Sequence, residues 1–272
     1  MWRGVRVLGL IAAISSVFVS SAHAVDASTT DPKAVMQAVE GREAPGSSKF
    51  KLTITITDAS GRNRTRVLQA ETMAFAEGSK QIVLFEEPAD LRNAGLLSID
   101  YEDGSKADDQ WLYLPSLGKT TRIASADKSG SFMGTDLTYA DMTSKDPDAY
   151  TYTMVQQSAA VDGEDCWLIE ATPATDKELK ETGYSKSQVW VSKAKLVPMQ
   201  VKAWVADGRF KYTKMSNFQM VDGNWVANQV VVRTIRNDKV ESTSTLVTSG
   251  LVVDPGGITD ADFTEQRLQQ GL

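Results

Sequence analysis

The chain has 272 residues, with 29 Lys and Arg against 35 Asp and Glu, a net charge of −6, one His and one Cys. That acidic balance, with no clustered Lys and Arg, argues against broad binding to nucleic acid or anionic membrane. A lone Cys166 excludes an internal disulfide, so stability has to come from an ordinary buried core.

Residues 1–24 read as a secretory signal. Arg3 and Arg6 give a basic start, Val7 to Ser21 is an uncharged and largely apolar run, and Ala22-His23-Ala24 is an A-x-A cleavage site. The run falls short of the roughly 20 apolar residues that a membrane-spanning helix needs. Cleavage after Ala24 takes two of the 29 basic residues and none of the 35 acidic ones, leaving 27 and 35 and a net charge of −8. No Cys follows the cleavage site to carry a lipid, so the expected product, residues 25–272, is one soluble, monomeric periplasmic domain without a Pro/Gly/Ser linker.

In chain order, Asp31-Pro32 supplies a helix N-cap and a first-turn proline, followed by an apolar stripe of Val35, Met36 and Val39. From Lys49 the period becomes two: Phe50, Leu52, Ile54 and Ile56 face one way and Lys51, Thr53, Thr55 and Thr57 the other. Turns at 58–61 and 77–79 separate further strands at 65–76 and 81–85, the last ended by Pro88. Strands are expected at 150–157, 166–172, 187–192, 199–205, 210–221, 225–236 and 240–252. Gly163, Asp207-Gly208, Asp222-Gly223 and Asn237-Asp238 supply the turns. Short helices are expected near 31–41, 88–93, 134–142 and the C-terminus, where Thr259 and Asp262 form a capping-box pattern. Many sequential strands with tight turns imply one large twisted sheet or a barrel. In 225–235 both faces are apolar, so that strand is covered twice, by simple packing or by an apolar cavity on one side.

Residues 109–142 set Trp111, Tyr113, Leu114, Phe132, Met133 and Tyr139 among Pro115, Arg122, Gly130, Gly134, Asp136 and Asp141. Together with Phe85-Glu86-Glu87-Pro88, Leu91, Arg92, Gly95 and Leu96 upstream, and Gly163, Trp190-Val191 and Asp262-Phe263-Thr264 downstream, this block resembles the LolA-like outer-membrane lipoprotein-sorting family. Departures are Asn93-Ala94-Gly95, where a more compact pairing is usual, and Leu137, where Phe is common. The resemblance implies a mainly β fold, an unclosed antiparallel β-barrel whose open concave side is covered by a few short α-helices. It also implies a periplasmic carrier of lipid or lipoprotein acyl chains, with an inner-membrane transporter of the resistance-nodulation-division (RND) class and an outer-membrane acceptor as partners. The alternative is an adaptor of such a transporter without its own cargo.

On that reading Trp111, Tyr113, Leu114, Phe132, Met133 and Tyr139 are the candidate ligand-lining residues, with plain core as their other role. Alternation puts Trp111 and Tyr113 on one face and Leu112 and Leu114 on the other, one pair inward and one under a helix. Arg122, Asp136 and Asp141 are candidates for a lid latch or a static ion pair.

Catalytic equipment is sparse. Removal of His23 with the signal leaves no His for a triad or metal site. Ser116-Leu117-Gly118-Lys119 and Ser125-Ala126-Asp127-Lys128 satisfy S-x-x-K, but the partner motifs of acyl-enzyme chemistry are absent. Asp108-Asp109 reads as a solvated turn rather than a catalytic acid pair, and Asp100, Glu102 and Asp103 lack an EF-hand spacing. A binding protein without cofactor or metal is the expectation.

Overall fold

The computed structural model describes residues 25–42, 45–205 and 207–272; the signal segment and its cleavage site lie outside the described residues. Thirteen strands form one antiparallel sheet. The first six are β1 (Ser47–Asp58), β2 (Asn63–Phe75), β3 (Gly78–Glu87), β4 (Gly95–Tyr101), β5 (Asp109–Leu114) and β6 (Lys119–Arg122). The other seven are β7 (Tyr150–Val161), β8 (Glu164–Pro173), β9 (Tyr184–Ser192), β10 (Pro198–Val205), β11 (Phe210–Val221), β12 (Asn224–Arg236) and β13 (Lys239–Val253). Their spatial order is β6-β5-β4-β3-β2-β1-β13-β12-β11-β10-β9-β8-β7. Two meanders therefore meet at β1 and β13, with β6 and β7 as free edges of an unclosed barrel.

The turns follow from local chemistry. Asp222-Gly223 and Asn237-Asp238 have positive φ at both central positions, the geometry that matches the twist of a two-residue hairpin. The inward face of β1 is the alternating set Phe50, Leu52, Ile54 and Ile56, all nearly inaccessible. It shares one core with Leu68, Val83, Phe85 and Leu96 from β2 to β4 and with Met215, Val230, Val232 and Leu246 from β11 to β13. Strands β4 and β11 stand six places apart, about 29 Å across a flat sheet at ~4.8 Å per strand. A shared core over that distance means that the sheet curls around what it buries.

Helix α1 (Pro32–Glu40) starts as expected, with the Asp31 carboxylate accepting from the Lys33 and Ala34 amides. Its Val35, Met36 and Val39 pack on Trp167 and Ile169 of β8 and on Val189 and Val191 of β9. Helix α2 (Asp176–Thr182), capped by Thr175 and ended by Gly183 at φ 73°, joins β8 to β9. On the opposite, convex face, α3 (Glu265–Gln270) lays Leu268 over Leu84 and Leu97 with Phe263 beside it. Gly95 lets it approach, because a Cβ there would lie 2.8 Å from Leu268 Cδ1.

Two expected helices give way to other structure. Residues 88–93 form the tight β3–β4 connection as successive turns, with the Leu91 amide donating to the Pro88 carbonyl. Asn93, in the left-handed region at φ 65°, turns the chain back into the ladder, where the Phe85 amide donates to the Ala94 carbonyl. Residues 134–142 are a hairpin followed by one 3-10 turn, Ala140–Met142.

Candidate functional site

The chain between edge strands β6 and β7, residues 123–149, crosses the concave side instead of extending the sheet. Its centre is a small hairpin. Ser131 pairs with Thr138, the Phe132 amide donates to the Leu137 carbonyl, and Met133 and Gly134 turn the chain at φ 49° and 75°. The hairpin thrusts Phe132 and Leu137, both 0% exposed, into the middle of the half-barrel, with Met142 following. Phe132 stands 6.0 Å from the Phe85 ring and edge-on to Tyr139 at 5.8 Å, spacings at which aromatic rings attract. Leu114, Met133 and Tyr139 border the same core.

Polar ties hold this plug to the wall. Asp136, 4% exposed, accepts from Thr234 Oγ1 at 2.5 Å, from Ser244 Oγ at 2.6 Å and from Ser242 Oγ, while its own amide donates to Ser244 Oγ at 2.9 Å. Asp141 accepts from the Tyr184 hydroxyl at 2.8 Å and from the Thr138 amide at 2.8 Å, with Lys211 Nζ at 3.9 Å. Burial, then the Asp141 charge, pushes the Tyr184 phenol far above its ordinary range, so it stays a donor. Gln110 Nε2 donates to the Tyr139 carbonyl at 2.9 Å. Buried Lys128 pairs with Glu181 of α2 at 2.8 Å, and so the lysine of the second S-x-x-K match is a structural anchor.

At the foot of the plug two carboxyls face each other. Asp100 accepts from the Ser144 amide at 2.9 Å and Asp108 from the Tyr101 amide at 3.0 Å. Burial raises both acids, and the neighbouring Asp100 charge helps lift Asp108 to about 7. The expectation of a solvated Asp108 is thereby corrected: the β4–β5 turn folds it back on Asp100, and only Asp109 points away. A cleft of about 860 Å³ lies nearby, bordered by Gln37, Glu40, Glu77, Tyr101 and Asp148. Among the described residues no group of three or more His, Cys, Asp or Glu is arranged to hold a metal ion. Cys166 is buried and its thiol is raised to about 11, by burial first and then by Glu164.

The sequence candidates therefore separate. Leu114, Phe132, Met133 and Tyr139 gather on the concave side. Trp111 and Tyr113 do not: they lie on the convex face against Ile82, Leu84, Leu97, Phe263 and Leu268, which makes them the pair under a helix. Arg122 is also apart from Asp136 and Asp141. It is exposed, and its Nε donates to Asp109 Oδ1 on the adjacent strand at 2.9 Å. The link between the plug and the sheet is Asp136 with three hydroxyls and Asp141 with Tyr184, not a guanidinium. Sequence reading missed those hydroxyl partners and Gln81, gave Gln110 no role, and weighed Asp100 only as a metal ligand.

A family model described as that of an uncharacterized protein matches residues 77–270, more than half of the chain. An outer-membrane lipoprotein-sorting protein domain from Vibrio parahaemolyticus is 27% identical with a TM-score of 0.77, over 88% of this chain and 98% of that one. A DUF1329 family protein from Desulfovibrio piger is 28% identical with a TM-score of 0.78, over 88% and 100%. A LolA superfamily protein from Nitrosomonas europaea shares the fold, with a TM-score of 0.66 at 19% identity over 88% and 100%. No curated protein matches in sequence. The chain belongs to the family of that model, and its half-barrel has the LolA-like fold of these lipoprotein-sorting, DUF1329 and LolA superfamily neighbours.

Proposed function

We propose that the protein is a periplasmic carrier that shelters the acyl chains of a lipid or lipoprotein against the concave face and shuttles them between the inner and outer membranes. The observation that carries this reading is the plug. A self-contained hairpin, anchored at both ends to free sheet edges, covers an apolar wall with apolar side chains and a few polar ties. Lifting it would expose Leu52, Ile54, Leu68, Val83 and Phe85, a surface that an acyl chain covers at about 25 cal/mol per Å² of apolar area. Methionines and aromatics such as Met133, Phe132 and Tyr139 adapt to such a chain without directed bonds, and Leu114 completes the lining. Asp136 and Asp141 are the ties that opening must break. An RND-class inner-membrane transporter and an outer-membrane acceptor are the partners that this role calls for.

The test is native mass spectrometry of protein isolated gently from the periplasm, then incubated with phospholipid vesicles and with a triacylated lipopeptide. A stoichiometric bound lipid is the expected result. A mass that remains that of the bare chain in every case would sink the carrier reading and leave the adaptor role.

A further inference from the structure

The concave wall is not apolar throughout. Across β1 to β5 the register stacks Phe50, Ala70, Val83, Leu96 and Leu112 in one row. The next inward row is Ser48, Thr72, Gln81, Ser98 and Gln110, each directly opposite the next. All five members of this second row are buried, with Gln81 at 1% and Gln110 at 0% exposure. Ser48 and Thr72 satisfy each other at 2.6 Å. Gln81 is different: among the described residues neither its Nε2 nor its Oε1 has a hydrogen-bond partner, and Gln110 Oε1 also has none.

Burying an unpaired amide forfeits its bonds to water, so folding alone gives no reason to keep these atoms here. What the row can bind follows from its atoms. Gln81 Nε2 offers a donor to a carbonyl, while Gln81 Oε1 and Gln110 Oε1 call for N–H or O–H groups. The plug already supplies part of the complement, since the Tyr139 backbone carbonyl takes the Gln110 amide at 2.9 Å and Ser98 Oγ lies 3.3 Å from the same nitrogen. No charged side chain belongs to the row; Asp100 follows Ser98 on this face of β4 with Asp108 against it, and the buried cation beside that pair, Lys128, is already taken by Glu181. An anionic group is therefore disfavoured.

We infer that Thr72, Gln81, Ser98 and Gln110 form the subsite for the uncharged linkage of the carried amphiphile. That linkage offers both a carbonyl and a donor beside the acyl chain, as in an acyl amide or an acyl glycerol with a free hydroxyl. This rests on the carrier reading and assigns polarity to it: the chain lies along the Phe50–Leu112 row and beyond, and the linkage replaces the Tyr139 carbonyl when the plug leaves.

The experiment compares three probes on wild type, Gln81→Met and Ser98→Ala: N-palmitoyl glycinamide, monopalmitoyl glycerol, and a pyrene-labelled hydrocarbon without a polar linkage. Gln81→Met is expected to weaken the amide or the ester by about tenfold or more, to leave the hydrocarbon unchanged, and to keep or raise the thermal midpoint. Ser98→Ala, which deletes only a hydroxyl, keeps the test open if the methionine variant folds poorly. Which polar probe loses more distinguishes amide from ester. Equal effects on polar and hydrocarbon probes, or no effect on either polar one, would overturn the subsite while leaving a carrier. Wild type that binds none of the three overturns the carrier reading itself.

Discussion

Asp136→Asn isolates the tie between plug and wall. The carboxylate gathers three hydroxyl donors, Thr234, Ser242 and Ser244. A bond to a charged group contributes about 1 kcal/mol more than a neutral one, so the amide should weaken the tie by about 3 kcal/mol while preserving shape and two acceptor bonds. If the hairpin opens as a unit, that amount multiplies its open population by about a hundredfold. Hydrogen exchange is the assay, since it resolves local opening from global unfolding. Amides of residues 130–142 should exchange about a hundred times faster, while those of β1 and β13 keep their protection. Apparent lipid affinity should rise in parallel, because the plug competes for the same wall. Equal acceleration in β1 and in the hairpin would refute the reasoning, since it would make Asp136 part of one indivisible core.

Other substitutions separate the faces and the pH response. Phe132→Ala empties the centre of the plug, and a buried Phe→Ala change costs about 3–5 kcal/mol; thermal melts should show less loss in the lipid-loaded protein than in the bare one, and equal losses would count against the plug. Trp111→Ala should lower the melting temperature through α3 and leave lipid affinity unchanged, as read by titration. Arg122→Leu removes an exposed pair worth at most about 1 kcal/mol, so uptake and release rates should not move. Because Asp100 and Asp108 are raised in the folded state, the fold binds more protons than the unfolded chain between the usual carboxylate range and about 7. Their contribution is thus present at low pH and lost as pH rises through that window. Asp108→Asn should recover on the order of 1–2 kcal/mol at pH 8 and flatten denaturant midpoints measured between pH 5 and 8; an unchanged slope would remove the pair from the account.

How far the sequence discloses this molecule depends on whether the signal is local. Strand β1 alternates cleanly and ends at the Asp58-Ala59-Ser60-Gly61 turn, and Asp222-Gly223 and Asn237-Asp238 mark the ends of β11 and β12, so these limits are visible in the chain. Strand β4 is hidden because Leu96 packs in the concave core and Leu97 under α3, which erases the alternation. Helix α2 has no apolar stripe, although Thr175 three residues before Glu178 and Gly183 at its end are readable caps. Alternation correctly divides Trp111 and Tyr113 from Leu112 and Leu114, but which pair faces inward is decided by Leu268, more than 150 residues away. The ties of Asp136 to Thr234, Ser242 and Ser244 and the fold-back of Asp108 onto Asp100 depend on sheet register and on long-range burial, which local periodicity does not encode.

The most direct test of the central claim is photo-crosslinking with a palmitate that carries a diazirine near its methyl end, followed by peptide mapping. The account predicts label on concave residues such as Leu52, Ile54, Leu68, Val83 and Phe85, and protection of these positions in a variant whose plug is covalently held shut. Label confined to the convex face around Trp111, Tyr113 and Leu268, or label on the concave face that persists with the plug held shut, would contradict it.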